Sequence, residues 1–136
     1  MVDEQVSFGP STKPAKRALR RLRSFVSTRP FIYLPLRKLR KPKTVVGPDT
    51  QLLIEGAPRC GNTWTEALIR YSHEGDICLA HHSHAVAHVK AAVKRGIPSL
   101  ILYREPDAAI RSFLALKKIP EVVSVNDAFI EYVLFY

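Results

Sequence analysis

The sequence predicts an α/β fold, a narrow parallel sheet covered by helices on both faces and preceded by a basic helical arm. Three observations lead there. Short, almost wholly apolar runs at 51–55, 77–82 and 99–104 alternate with stretches of helical periodicity, and strands apolar on both faces belong to parallel sheets buried on both sides. The 136 residues, 46% of them hydrophobic, suffice for one core and give no reason to expect two. Charge is unevenly placed, with twelve Lys and Arg against Asp3 and Glu4 in residues 1–45, but nine against ten acids in residues 46–136. The chain therefore divides into a basic arm with a Pro-rich connector, 1–49, and a near-neutral folded unit, 50–136.

Within the arm, the segment 16–26 spaces Leu19, Leu22, Phe25 and Val26 on one helix face, with basic residues around it. That face suits an anionic membrane or a nucleic acid, or packs on the folded unit as an ordinary amphipathic helix. Pro30, Pro35, Pro42 and Pro48 then punctuate 29–49, which is expected to be irregular. The first strand, 51–55, leads into a helix over 62–72, and the second, 77–82, into a helix over 85–95. Gly96 to Pro98 turns the chain into the third strand, 99–104. A helix over 107–117 follows, with Pro106 near its start, where proline is well tolerated. After Pro120, Ser124 and Asp127 form a capping-box pattern opening a last helix through Phe135. Three strands make a narrow sheet with open edges, so the expectation is either a truncated fold or a sheet completed elsewhere.

Right-handed crossovers bring the carboxyl ends of all strands to one edge, placing Gly56, His82 and Arg104 side by side where such sheets bind ligands. No apolar run approaches the roughly 18 residues of a membrane span, and the segment 1–14 lacks the apolar stretch of a secretory signal, so a cytoplasmic location is expected. Cys60 and Cys78 have no metal-type spacing and are expected to be free thiols.

The segment from Gly56 to Trp64, Gly-Ala-Pro-Arg-Cys-Gly-Asn-Thr-Trp, follows a strand and opens a helix, the setting of a phosphate cradle. Its spacing is that of a P-loop, G-x-x-x-x-G-K-S/T, with Asn62 in place of the lysine that serves the β- and γ-phosphates of nucleoside triphosphates. Arg59 supplies a permanent cation within the loop, able to grip an oxyanion bidentately. A plain Gly-containing turn is the bland alternative.

The loop residues Ala57 to Trp64 resemble the 5′-phosphosulfate-binding loop of PAPS-dependent sulfotransferases, in which Pro, Lys or Arg, Ser, Gly and two Thr precede a bulky apolar residue. A second signature of that family, a strand ending in Arg with Ser eight residues later, is similar to Leu100 to Ser112. The resemblance covers residues 51–136 and implies a three-layer parallel sheet of the P-loop NTPase type. It also implies sulfuryl transfer from PAPS as co-substrate to a hydroxyl or amine, releasing adenosine 3′,5′-bisphosphate. By motif, the 5′-phosphosulfate falls to Arg59, Cys60, Gly61, Asn62, Thr63 and Trp64, and the 3′-phosphate to Arg104 and Ser112. Cys60 and Asn62 depart from the family's Ser and Thr, replacing two hydroxyls by a thiol and an amide. Trp64 is expected either to offer a face to the adenine or to pack beneath the loop.

Four of the five histidines lie at His81, His82, His84 and His88, directly after the second strand. In the family a histidine at this strand end is the base for the acceptor, a role open here to His82 or His84. Strand alternation points His82 and His84 one way and His81 the other. His82, His84 and His88 would alternatively ligate zinc, or the cluster has only a structural role; the transfer scheme itself requires no metal. His73 is expected to face solvent. Arg59 and Thr63 would counter charge on the bridging oxygen. Two other functions stand beside the transferase: a P-loop kinase-like protein binding a nucleoside phosphate with magnesium, and a truncated, non-catalytic domain whose arm binds nucleic acid or anionic lipid. No nucleic-acid motif is present.

Overall fold

A computed structural model describes residues 14–117 and 125–136. The elements run α1 (Pro14–Ser27), α2 (Pro30–Arg40), a 3₁₀ turn (Pro42–Thr44), β1 (Leu52–Gly56), α3 (Asn62–Ser72), β2 (Leu79–His81), α4 (Val86–Lys94), β3 (Ser99–Leu102), α5 (Pro106–Lys117) and α6 (Val125–Val133). The expected strand–helix alternation is therefore present, and the fold is α/β. Ser124, the expected cap of the last helix, lies outside the described residues.

The three strands are parallel in the order β2-β1-β3. Because β2 and β3 lie on opposite sides of β1, two right-handed crossovers of opposite direction place α3 and α4 on opposite faces. The side chains agree with that. Leu53 and Ala80 join Ala91 and Ala92 of α4 in one core cluster, while His81, in register with Ile54, reaches Glu66 on α3. All of β1 after Leu52 is buried, as a central strand covered on both faces requires. A second cluster gathers Ala57, Cys60, Ala109, Tyr132 and Phe135, holding α5 and the end of the chain against the loop that follows β1.

The segment 29–49 is not the irregular connector its prolines suggested. Pro30 stands in the first turn of α2, where a missing N–H costs nothing, and Pro35 sits inside the helix, where proline costs about 3 kcal/mol. Tertiary contacts offset that cost. The Tyr33 hydroxyl donates to the Ser83 carbonyl at 3.0 Å, Arg37 Nη2 donates to the His82 carbonyl at 2.8 Å, and Leu34 packs against the Leu53 cluster. Val46, farther along the same segment, is itself a member of that cluster.

Inside β1 stands a carboxylate, Glu55, fully buried. One oxygen accepts the Ser83 N–H and the other the His84 N–H, each at 2.8 Å, and His88 Nδ1 approaches the first at 2.8 Å. His88, also fully buried, accepts the Val46 N–H on Nε2 at 2.7 Å. An amide proton can be accepted only by a bare ring nitrogen, so the proton of His88 sits on Nδ1 and is donated to Glu55. Replacing Glu55 by Gln turns an amide N–H toward these donors. The expected loss is about 1–3 kcal/mol, the range for leaving a buried hydrogen-bonding group without its partner, measured by urea unfolding followed by far-ultraviolet circular dichroism. A loss below about 1 kcal/mol would show that the site repacks without the carboxylate.

Candidate functional site

The strand order reverses at β1, so the gap between the ends of β1 and β3 is the switch point at which open α/β sheets bind ligands. Gly56 closes β1 opposite Leu102 of β3. A Cβ on Gly56 would stand 2.6 Å from the Leu102 carbonyl oxygen, so the two backbones meet this closely only with glycine. Beyond it the loop turns through two left-handed residues, Arg59 at φ 70° and Gly61 at φ 93°. The Ala57 carbonyl accepts the Cys60 N–H at 3.3 Å. Gly61 is the N-cap of α3, and no side chain among the described residues caps the helix. The first amides of an α-helix have no intrahelical acceptor, so those at the start of α3 open onto the loop as anion donors.

The loop side chains divide into two sets. Arg59, Thr63 and Trp64 are exposed; Trp64, at 82%, does not pack beneath the loop. Cys60 and Asn62 turn inward. The Cys60 thiol joins the apolar cluster and contacts the Tyr136 hydroxyl at 3.4 Å. Asn62 Nδ2 donates back to the carbonyls of Ala57 at 3.3 Å and Gly56 at 3.5 Å, while its Oδ1 is buried with no hydrogen-bond partner among the described residues. In the lysine position of a P-loop this chain thus carries an amide spent on holding the loop's own shape.

The second signature is brought to the same place. Arg59 Nε donates to Ser112 Oγ at 3.0 Å, and Arg104 Nη1 donates to the Arg59 carbonyl at 3.1 Å. The Tyr132 hydroxyl donates to the Arg104 carbonyl, and the Tyr136 hydroxyl donates to the Leu102 carbonyl while accepting the Ala57 N–H at 3.3 Å. Two arginines and a serine from segments more than forty residues apart therefore share one exposed edge beside the start of α3.

The histidines lie on the other side of β1. β2 ends at His81 rather than His82, because His82 and His84 both adopt left-handed backbone, φ 55° and 50°. This overturns the expected alternation. His82 is not opposed to His81; their rings meet edge to face at 4.9 Å, with 2.6 Å between the two Nδ1 atoms. Both Nδ1 atoms face Glu66 Oε2, at 3.1 Å from His81 and 3.4 Å from His82. Burial holds the pKa of each below the usual 6.5, with Glu66 partly opposing the shift. His82 Nε2 lies 3.0 Å from Thr63 Oγ1, and His84 Nδ1 lies 2.7 Å from the Gly56 carbonyl. A carbonyl can only accept, so Nδ1 of His84 carries a proton, and in the neutral ring the lone pair falls to Nε2.

The zinc set of His82, His84 and His88 is not assembled. Both nitrogens of His88 are committed in the core, and Nδ1 of His84 is bound to the backbone. His73 is exposed, as expected, and Cys60 and Cys78 are free thiols. Sequence reading passed over Glu55, Glu66, Tyr33, Arg37, Tyr132 and Tyr136. Of these only Glu55 carried a visible signal, an acid inside an apolar run that the predicted class buries on both faces.

No family model, curated protein or solved structure matches the chain. The loop geometry itself is testable. Gly61→Ala forces a Cβ into left-handed backbone and should cost about 1–2 kcal/mol. The wild-type protein, but not this variant, should gain thermal stability from added sulfate or pyrophosphate; equal gains in both would place the anion elsewhere.

Proposed function

We propose that residues 50–136 form a sulfotransferase domain on a P-loop-type sheet, transferring the sulfuryl group of PAPS to a hydroxyl or amine. The observation that supports this best is the convergence of Arg59, Arg104 and Ser112 on one exposed edge beside the uncapped start of α3. A nucleotide with phosphate at both 5′ and 3′ positions needs two oxyanion grips at one site, and each of the two segments supplies one. When PAPS binds, the Arg59 guanidinium leaves Ser112 for the phosphosulfate, and the Ser112 hydroxyl and Arg104 turn to the 3′-phosphate. The amides at the start of α3 hold the 5′-phosphosulfate, and Arg59 and Thr63 oppose charge developing on the bridging oxygen. Of the two candidate bases, His84 is favoured, because its Nδ1 proton is donated to Gly56 and its Nε2 is left basic. Like phosphoryl transfer, the reaction asks mainly for positioning and charge stabilisation. Against the kinase-like alternative stands Asn62, whose amide is folded into the loop where a triphosphate would need a lysine.

Calorimetric titration should show that adenosine 3′,5′-bisphosphate binds and ATP with magnesium does not. Arg104→Ala, removing a charge-assisted grip, should weaken the bisphosphate by about ten- to a hundredfold, while sulfate affinity changes little. Tighter binding of ATP with magnesium would end this reading in favour of the kinase-like one.

We propose further that the arm lies on an anionic membrane surface at the cytoplasmic face. Leu19, Leu22 and Phe25 on α1 are 67%, 58% and 53% exposed, so the domain does not cover that stripe. On α2, Phe31 at 89% and Leu39 at 84% extend the apolar surface, among the exposed bases Arg29, Lys38, Arg40 and Lys41. No helix among the described residues is long and apolar enough to cross a membrane. The protein should sediment with phosphatidylserine vesicles and not with phosphatidylcholine vesicles. Phe31→Ser together with Leu39→Ser should lower that binding at least about tenfold, since each removes a large exposed apolar group that the membrane interface would bury. Unchanged sedimentation would remove the arm from the interface.

A further inference from the structure

Glu66, His81 and His82 bring a carboxylate oxygen and two imidazole nitrogens within 4.8 Å of one another. These are not the histidines whose spacing suggested a metal, and they come together through an irregularity of the backbone. Successive strand residues point to opposite faces, yet the left-handed φ of 55° at His82 folds its ring back toward that of His81. Both rings then present Nδ1 to the same oxygen of Glu66.

With Glu66 a carboxylate, one proton on His81 Nδ1 is shared between His82 Nδ1 at 2.6 Å and Glu66 Oε2 at 3.1 Å, which leaves His82 Nδ1 and Glu66 Oε2 facing one another at 3.4 Å. A proton on each Nδ1 would set two N–H groups against each other across 2.6 Å. The cluster thus has room for one positive centre among three electron-rich atoms, a place that a cation accepting all three lone pairs fills.

The surroundings are those of a ligating set. Arg70 Nε donates to Glu66 Oε1 at 3.0 Å, which turns the other oxygen, Oε2, toward the imidazoles. His82 Nε2 lies 3.0 Å from Thr63 Oγ1; donating its proton there leaves the lone pair on Nδ1, the ring orientation that outer partners impose on metal-bound histidines. The Arg37 guanidinium holds the His82 carbonyl, fixing the backbone of the same residue.

We propose that Glu66 Oε2, His81 Nδ1 and His82 Nδ1 bind a zinc ion, with a fourth position open to water or an anionic oxygen. Two imidazoles and one carboxylate are a ligand set that zinc accepts, and three protein ligands with an exchangeable fourth position distinguish catalytic from structural zinc sites. Tetrahedral zinc at about 2.0–2.2 Å sets its ligand atoms roughly 3.4 Å apart, a separation the 3.1 Å and 3.4 Å histidine–Glu66 distances nearly meet, while the two Nδ1 atoms must open from 2.6 Å by about 0.8 Å. Thr63 belongs both to the start of α3 and to the outer partners of this site, so an ion here adjoins the phosphate-loop helix. The site leaves His84 unligated, and zinc binding stands or falls without reference to the transferase reading.

The test uses the full chain freed of metal with chelator. Zinc is titrated calorimetrically with no nucleotide present, and cobalt is titrated with its visible d–d absorption as the readout. One zinc per chain is expected, with an intense cobalt spectrum of four-coordinate type. Glu66→Gln and His81→Asn should each weaken zinc at least about a hundredfold, and Thr63→Val about tenfold with recovery in Thr63→Ser, the range seen for outer partners. His73→Asn and His84→Gln should leave the affinity unchanged. Should His81→Asn compromise folding, judged by circular dichroism, Glu66→Gln carries the decision, since Gln keeps the shape of the side chain and Glu66 is only partly buried. Absence of a cobalt spectrum, or zinc affinity unchanged in Glu66→Gln or abolished by His73→Asn, would overturn the assignment. Titration with adenosine 3′,5′-bisphosphate reads the phosphate loop separately, so either result can fail while the other holds.

Discussion

Glu55 is the constraint on which the edge of this molecule depends. A carboxylate with no solvent contact costs several kcal/mol unless its oxygens are filled, and here they are filled by the Ser83 and His84 amides and by His88. Because the first two donors belong to consecutive residues, the chain leaving β2 must wrap around the carboxylate, and His82 and His84 take left-handed backbone around that turn. The same bend sends the His82 ring to Thr63 and Glu66 and the His84 ring to the Gly56 carbonyl. One buried acid thus places two histidines that a regular strand would have pointed elsewhere. Through His88 Nε2 the tie continues to Val46, so the segment before the sheet is bound into the same polar core.

The other half of the edge is held by different means. There the end of the chain packs aromatic residues against the loop, with Tyr132 and Tyr136 supplying hydroxyls to the carbonyls at the exit of β3. The Asn62 amide ties the loop to itself. What this edge presents to solvent is cationic or donor in character: Arg59, Arg104, Ser112 and the first amides of α3. An anion at this point meets the positive end of a helix and two guanidinium groups with little desolvation, since both arginines are exposed. Charge and position, rather than an enclosed apolar pocket, are what this edge offers.

α2 shows how far tertiary contacts override local preference. Four prolines in 29–49 read as breaks, and each has a local reason to be one. A helix forms across Pro35 nonetheless, because Tyr33 and Arg37 on one face bond to the Ser83 and His82 carbonyls, both left outside the sheet by the bend that Glu55 imposes. The helix and the histidine turn satisfy one another, and neither has its full set of partners alone.

From residue 50 onward, the alternation of strands and helices, the parallel class, the glycine-bounded loop between β1 and α3 and the meeting of Gly56, His82 and Arg104 at one edge were all legible in the residues. They follow from hydrophobic period, glycine placement and crossover handedness, which are local or nearly universal. Which side chains touch was decided only by the tertiary structure. Arg59 with Ser112 is a contact across 53 residues, Glu55 with His88 across 33, and Tyr33 with the Ser83 carbonyl across 50. No window of sequence contains both members of such pairs. The left-handed turn at His82, too, depends on a carboxylate in a different strand, so strand alternation extrapolated from neighbouring residues pointed that ring the wrong way.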